Sequence, residues 1–241
     1  RSGLRRKVDE PSFSPTLVQV ITTPSMPLRR FLLPAALLLG VVQAHAGLVA
    51  HYKFDETSGT TAADSSGSGN TGTLFGADGS TSWVSGRIGN ALSLEGAASD
   101  YVRATGYKGV TGTNARTAAL WFNTTDSNPY NYPLHYGKKS GVLNDFAIEI
   151  QSSGKPHIAF GGAGVIVHTS YNDGLWHHLA ITAEAGGAFT GVKMYVDGVL
   201  AATGGGSHTF NTPSYNDLRV GRDGAGSYFE GLLDDVRIYD H

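Results

Sequence analysis

From Gly47 onward the hydrophobic positions recur every second residue. In GLVAHYKF, Leu48, Ala50, Tyr52 and Phe54 alternate with Val49, His51 and Lys53, the spacing of a strand that buries one face. The same period returns in Ala91–Leu94, Asp100–Ala104, Ala118–Thr124, Asp145–Gln151, Pro156–Phe160 and Val165–Ser170. It continues in Trp176–Ala183, Val192–Val196, Val199–Thr203, Asp217–Gly221 and Leu232–Tyr239. Asp197-Gly198 is a two-residue hairpin signal, and Ser152-Ser153-Gly154-Lys155 closes a second hairpin. No window sustains a 3.6-residue period, and no linker or internal repeat interrupts the series. About twelve strands in roughly 195 residues predict one all-β sandwich domain.

Ahead of Gly47 the pattern is different. Met26–Ala46 holds Arg29 and Arg30, an apolar run from Phe31 to Val42, and a closing Ala44-His45-Ala46. These are the three regions of a secretory signal peptide, and the run is shorter than the about 20 residues of a membrane span. Met26 therefore reads as the natural start and Gly47 as the mature N-terminus. Residues 1–25 read as a non-native, disordered upstream extension. The expected mature chain, residues 47–241, has no membrane span and is secreted or displayed on a bacterial surface.

Composition narrows the chemistry. With no Cys among 241 residues, disulfides and Cys-ligated metals are excluded. The whole chain has 18 Lys and Arg against 20 Asp and Glu. Setting aside the six basic and two acidic residues before Gly47 leaves 12 against 18, a net of −6. An acidic domain lacks the basic excess of a nucleic-acid partner.

Catalytic motifs are missing. There is no H-E-x-x-H, P-loop or G-x-S-x-G. Gly67-Ser68-Gly69-Asn70-Thr71-Gly72 fits G-x-G-x-x-G, but no strand enters it and no helix follows to hold a pyrophosphate. Glycoside hydrolysis needs two carboxylates about 5–9.5 Å apart, which a strand supplies at i and i+2 or i+4. None of Glu56, Glu95, Glu149, Glu184 and Glu230 has another acid two residues away; at four residues, Asp145 precedes Glu149 and Asp234 follows Glu230. The neighbours Asp55-Glu56 and Asp234-Asp235 should split across the two faces of a strand. Carboxylates meeting from different strands are left open, and the expectation is a domain without catalysis.

Five blocks in order resemble the concanavalin A-like lectin/glucanase superfamily, in its laminin-G-like branch of bacterial secreted proteins. They are GLVAHYKFDETSGTTAADSSGSGNTGTLFG, WVSGRIGNALSLEG, WHHLAIT, VKMYVDGVLAAT and FEGLLDDVRIYDH. The resemblance implies a jelly-roll sandwich of two curved antiparallel sheets with the first and last strands near each other. It covers residues 47–241. The family usually runs on past R-I-Y, so the sequence is expected to be a fragment to which further domains can belong. The E-x-D-x-x-E of the superfamily's laminarinases and lichenases is absent. The superfamily commonly holds one structural calcium, and Asp234 corresponds to the aspartate before V-R-x-Y that the enzyme branch uses for it. By strand alternation Asp234 shares an apolar face with Val236 and Ile238, where a carboxylate needs a partner. The polar loop Asp64–Asn70 can fold oxygens around an ion, which makes Asp64 and Asn70 the other candidate ligands.

Sugar binding is the usual activity of this fold. Aromatic rings stack on sugars through their apolar faces. Trp121 sits between Leu120 and Phe122 and can line the second face of its sheet. Asn128–Tyr136 reads as a Tyr- and Asn-rich loop entering a strand, with Tyr130 and Tyr132 as recognition candidates. The expected ligand is a glycan or an extracellular protein. A structural unit of a larger surface protein and a glycan-cleaving enzyme with a non-standard site are the alternatives.

Overall fold

The computed structural model describes residues 47–241 apart from 77–81, 97–99, 140 and 142. The expected signal peptide and upstream extension therefore lie outside the described residues. Sixteen strands follow in order: β1 (Leu48–Tyr52), β2 (Thr61–Ala62), β3 (Gly72–Phe75), β4 (Trp83–Ser85), β5 (Asn90–Glu95), β6 (Tyr101–Ala104), β7 (Arg116–Asn123) and β8 (Asn131–Gly137). Then come β9 (Asp145–Ile150), β10 (Pro156–Ala159), β11 (Gly164–Ile166), β12 (His177–Ala183), β13 (Val192–Val196), β14 (Val199–Thr203), β15 (Asn216–Val220) and β16 (Glu230–Tyr239).

They form two eight-stranded antiparallel sheets. The first has the order β14-β13-β12-β7-β16-β5-β4, with β1 also paired to β16; the second has the order β11-β10-β9-β8-β15-β6-β3-β2. The first and last strands are thus direct partners, His51 opposite Arg237 and Tyr52 opposite Val236. All twelve periodic segments contain strands. The turn between β13 and β14 has positive φ at both Asp197 and Gly198, which matches the twist of a tight hairpin.

The core lies between the sheets. One side supplies Leu120, Phe122, Leu179, Ile181, Val236 and Ile238; the other supplies Leu134, Tyr136, Phe146, Ile148, Leu218 and Val220. One charged side chain is fully enclosed at the start of β7. The Arg116 guanidinium donates to the carbonyls of Val110 (2.5 Å), Gly112 (2.7 Å) and Asn114 (3.1 Å) and to Thr212 Oγ1 (3.0 Å). It also sits 5.0 Å from the Phe210 ring. The cation gathers the 110–114 segment onto the 212 segment and replaces its lost water with carbonyl oxygens.

Periodicity did not show β2, β3, β4 or β8, and β8 is the longest of these four. Its seven residues are all buried, so both faces are covered and no alternation is visible. Pro133 is tolerated because the register with β9 shifts between Asn131 and Leu134, a bulge that spares the missing N–H.

Candidate functional site

In the middle of β16 the ladder with β7 slips. Asp234 faces Trp121 and Arg237 faces Ala119, three residues against two. Asp235 has φ of 51°, and this bulge inverts the expected facing. Leu233, Val236 and Ile238 enter the core, whereas Asp234 shares the outer face with Trp121. Alternation assumed an unbroken strand, so the expectation that Asp234 lies on the Val236–Ile238 face is corrected. The expected split of Asp234 from Asp235 is corrected too. Both line one cleft of about 240 Å³ with Asp55, Lys53, His51, Ile88 and Arg237.

Within that cleft Asp235 is neutralised. Its carboxylate accepts from His51 Nε2 at 2.7 Å and lies 2.9 Å from Arg237 Nη2. Asp234 is different. It is 0% exposed; Oδ2 accepts the Ile88 N–H at 2.8 Å, and Oδ1 has no hydrogen-bond partner. Burial pushes its carboxyl up, and the charge of Asp235 adds to that. A bare buried oxygen fits a cation there.

Asp64 and Asn70 are brought together, but away from this cleft. Asp64 Oδ1 accepts the N–H groups of His51 (3.0 Å) and Ser66 (2.9 Å), and Oδ2 accepts that of Asn70 (2.8 Å). Asn70 Nδ2 donates to the Val49 carbonyl at 2.7 Å. Burial raises the Asp64 carboxyl, but the bonds from Ser66, His51 and Asn70 outweigh it and hold it low. This loop is closed by its own amides. Among the described residues, no group of three or more His, Asp or Glu side chains is placed to hold a metal ion.

The aromatic candidates separate as well. The Arg87 guanidinium lies 4.9 Å over the Trp121 ring, and His178 packs against it at 5.1 Å, so one face of the indole is covered. Tyr132 is 3% exposed. Its hydroxyl accepts from Lys139 Nζ at 2.6 Å, and Lys139 reaches Asp223 at 3.1 Å. Tyr130 is 59% exposed and has φ of 71°. A bulky residue in the left-handed region is strained, and such strain gathers at ligand clamps.

Tyr130 lines one of two clefts that share Asp126 and Glu230. One, of about 300 Å³, is lined by Ser93, Glu95, Asn123, Thr125 and Asp126; the other, of about 240 Å³, by Gly96, Asn128, Tyr130 and Tyr228. The walls are braced. Asp126 Oδ1 accepts from the backbone and side chain of Asn128, and Oδ2 from Asn131 Nδ2. Asn131 Oδ1 accepts the Glu230 N–H at 3.2 Å, and Thr124 Oγ1 donates to the Glu230 carbonyl at 2.7 Å. Glu95 and Glu230 are register partners on β5 and β16. Like charges placed opposite each other cost stability, and local costs of this kind accumulate at functional sites. Sequence spacing missed this pair because the two residues meet only through the sheet register.

The comparisons with known proteins agree with this architecture. A family described as the concanavalin A-like lectin/glucanases superfamily matches residues 95–241. Domain 4 of AbnA, an extracellular GH43 arabinanase from Geobacillus stearothermophilus, solved with arabinotriose, is similar at 26% identity. The match covers 81% of this chain and 93% of that one, with a TM-score of 0.62. A Trypanosoma rangeli sialidase shares the fold at 16% identity and a TM-score of 0.56, over 81% of this chain and 30% of that one. Among curated proteins, 94 residues are 32% identical to the rat (Rattus norvegicus) sushi, von Willebrand factor type A, EGF and pentraxin domain-containing protein 1. That stretch is 39% of this chain and 2% of the rat protein. No helix among the described residues is long and apolar enough to cross a membrane.

Proposed function

Because the chain belongs to the concanavalin A-like lectin/glucanases superfamily, we propose that it is an exported, non-catalytic carbohydrate-binding module. Its glycan lies in the cleft beneath Tyr130. The observation that carries this reading is the strained, exposed Tyr130 ring above a braced polar trough. A ring offers an apolar face to a sugar, while Asn128, Glu95 and Glu230 accept or donate to its hydroxyls. The arabinotriose held by the similar arabinanase domain supports a saccharide ligand. Export rests on the Met26–Ala46 pattern. The absence of catalysis rests on the missing E-x-D-x-x-E motif.

The test is titration calorimetry with arabinan and pyranose oligosaccharides, run beside a reducing-end assay. Binding without release of reducing ends is expected. Tyr130→Ala should weaken binding about tenfold, the loss of one aromatic contact of about 1–1.5 kcal/mol. New reducing ends that disappear in Glu230→Gln would instead establish the glycan-cleaving alternative.

Calcium belongs to the same proposal, with Asp234 Oδ1 as its side-chain ligand and backbone carbonyls completing the shell. Asp64 is the weaker candidate, since both its carboxylate oxygens accept backbone N–H groups of its own loop and of His51. Calcium at about 100 times its Kd should stabilise the fold by about 2.7 kcal/mol, raising Tm by about 5–10 °C. Asp234→Asn should abolish the difference between melts with calcium and with chelator. Identical melts of the unmodified chain would show that Asp234 is satisfied by a proton alone.

A further inference from the structure

Three arginines meet on the outer face of the second sheet. Val102, Ala104, Leu218 and Val220 point into the core, so alternation turns Arg103 and Arg219 outward. The two are register partners on β6 and β15. Arg222 joins them from the end of β15. It pairs with Tyr228 through a backbone bridge, and the turn between them is closed by Asp223 Oδ1, which accepts the N–H groups of Ala225, Gly226 and Ser227.

Nothing described neutralises this group. No ion pair among the described residues includes Arg103, Arg219 or Arg222. Asp217 is the acid that eases Arg219, and it is held by Lys108 at 2.7 Å. Burial, then the charges of Arg222 and Arg103, disfavour the cationic form of Arg219. Four guanidinium nitrogens are buried without a hydrogen-bond partner: Nε of Arg103, Nε and Nη1 of Arg219, and Nε of Arg222. Like charges set opposite each other on neighbouring strands are costly, and so are buried donors left bare.

Aromatic rings hold the cations in place. The Arg103 guanidinium lies 4.5 Å from the Phe75 ring, and that of Arg222 lies 4.8 Å from Tyr101 and 4.9 Å from Tyr228. Phe75 and Tyr101 stack at 5.1 Å. Stacking orients the planar forks without using their N–H donors. Tyr228 also lines the cleft below Tyr130, so the cationic face and the proposed sugar trough share a wall.

We propose that Arg103, Arg219 and Arg222 form an anion subsite for a carboxylate or sulfate group carried by an acidic saccharide whose neighbouring residue occupies the cleft. The inference rests on the carbohydrate reading above and specifies its ligand class. Guanidinium forks pair with carboxylate or sulfate oxygens through two parallel N–H···O bonds, and no described acid competes with the ligand for the three side chains.

The experiment titrates the full chain with four probes: a glucuronate-containing oligosaccharide, its methyl ester, its carboxyl-reduced form and a sulfated neutral oligosaccharide. The acidic sugar should bind at least tenfold more tightly than its ester and reduced forms. Arg219→Gln and Arg103→Gln should erase that preference while leaving the neutral forms unchanged. Preference for the sulfated over the carboxylate probe assigns the source of the anion within the same subsite. Equal binding of the acid and its ester by the unmodified chain overturns the subsite and leaves the carbohydrate reading standing. Failure of every glycan to bind overturns both. Because the ester comparison needs no variant, a misfolded substitution does not blunt the test.

Discussion

Arg116→Met is expected to lower the melting temperature by about 6–20 °C. The side chain is 0% exposed and has no acid partner among the described residues; its charge is solvated by the carbonyls of Val110, Gly112 and Asn114 and by Thr212 Oγ1. Methionine fills much of the volume but donates nothing. The three carbonyls then lose their partner inside the protein, at about 1–3 kcal/mol each where water cannot reach them. A total of about 3–5 kcal/mol is in the range seen when a buried charged network is broken. For a domain of this size each kcal/mol moves Tm by about 2–4 °C. Calorimetric melts of the two chains check this. A shift under about 2 °C would mean that water replaces the guanidinium and that Arg116 is not the brace between the 110–114 and 212 segments.

Asp145→Asn should turn a flat pH profile of stability into a rising one. His135 and Asp145 are buried side by side, with Nε2 3.8 Å from Oδ2. Both His135 nitrogens and Asp145 Oδ1 lack hydrogen-bond partners. Burial drives each toward its neutral form, lowering His135 to about 3 and raising Asp145 to about 7. The signs oppose. His135 sits below its unfolded value, so its contribution is present above about 6.5 and is lost as pH falls toward 3. Asp145 sits above its unfolded value, so its contribution is present below about 4 and is lost as pH rises toward 7. Between pH 4 and 6.5 the two slopes cancel in the unmodified chain. With Asn at 145 only the histidine slope remains, and stability should climb by about 3 kcal/mol over that window at about 1.4 kcal/mol per unit. Urea titrations at several pH values read this directly. Parallel profiles for the two chains would show that Asp145 adds no slope and is ionised in the fold across that window.

How far these features could be read from the chain depends on their range. The period of two is local, so β1, β7, β12, β13 and β16 were legible, and the Asp197-Gly198 turn gave the β13–β14 hairpin its register. β2 and β4 have two and three residues, too few for any period. β8 is buried on both faces and carries Pro133, so it looked like a loop. The same cover over β8 encloses Tyr132 and leaves Tyr130, two residues earlier, exposed.

Sequence alone determined the all-β architecture, because strand periodicity and turn chemistry are properties of neighbours along the chain. It also singled out the segment that presents Tyr130 and the aspartate that keeps a bare oxygen. Tertiary structure decided the rest. One bulge at Asp235 turned Asp234 away from Val236 and placed two adjacent carboxylates in one cleft. Sheet register set Glu230 beside Glu95 and Arg219 beside Arg103, pairs separated by more than a hundred positions. A one-residue slip in a strand reverses every side chain beyond it, and cross-strand neighbours are chosen by hydrogen-bond register, for which spacing along the chain carries no signal.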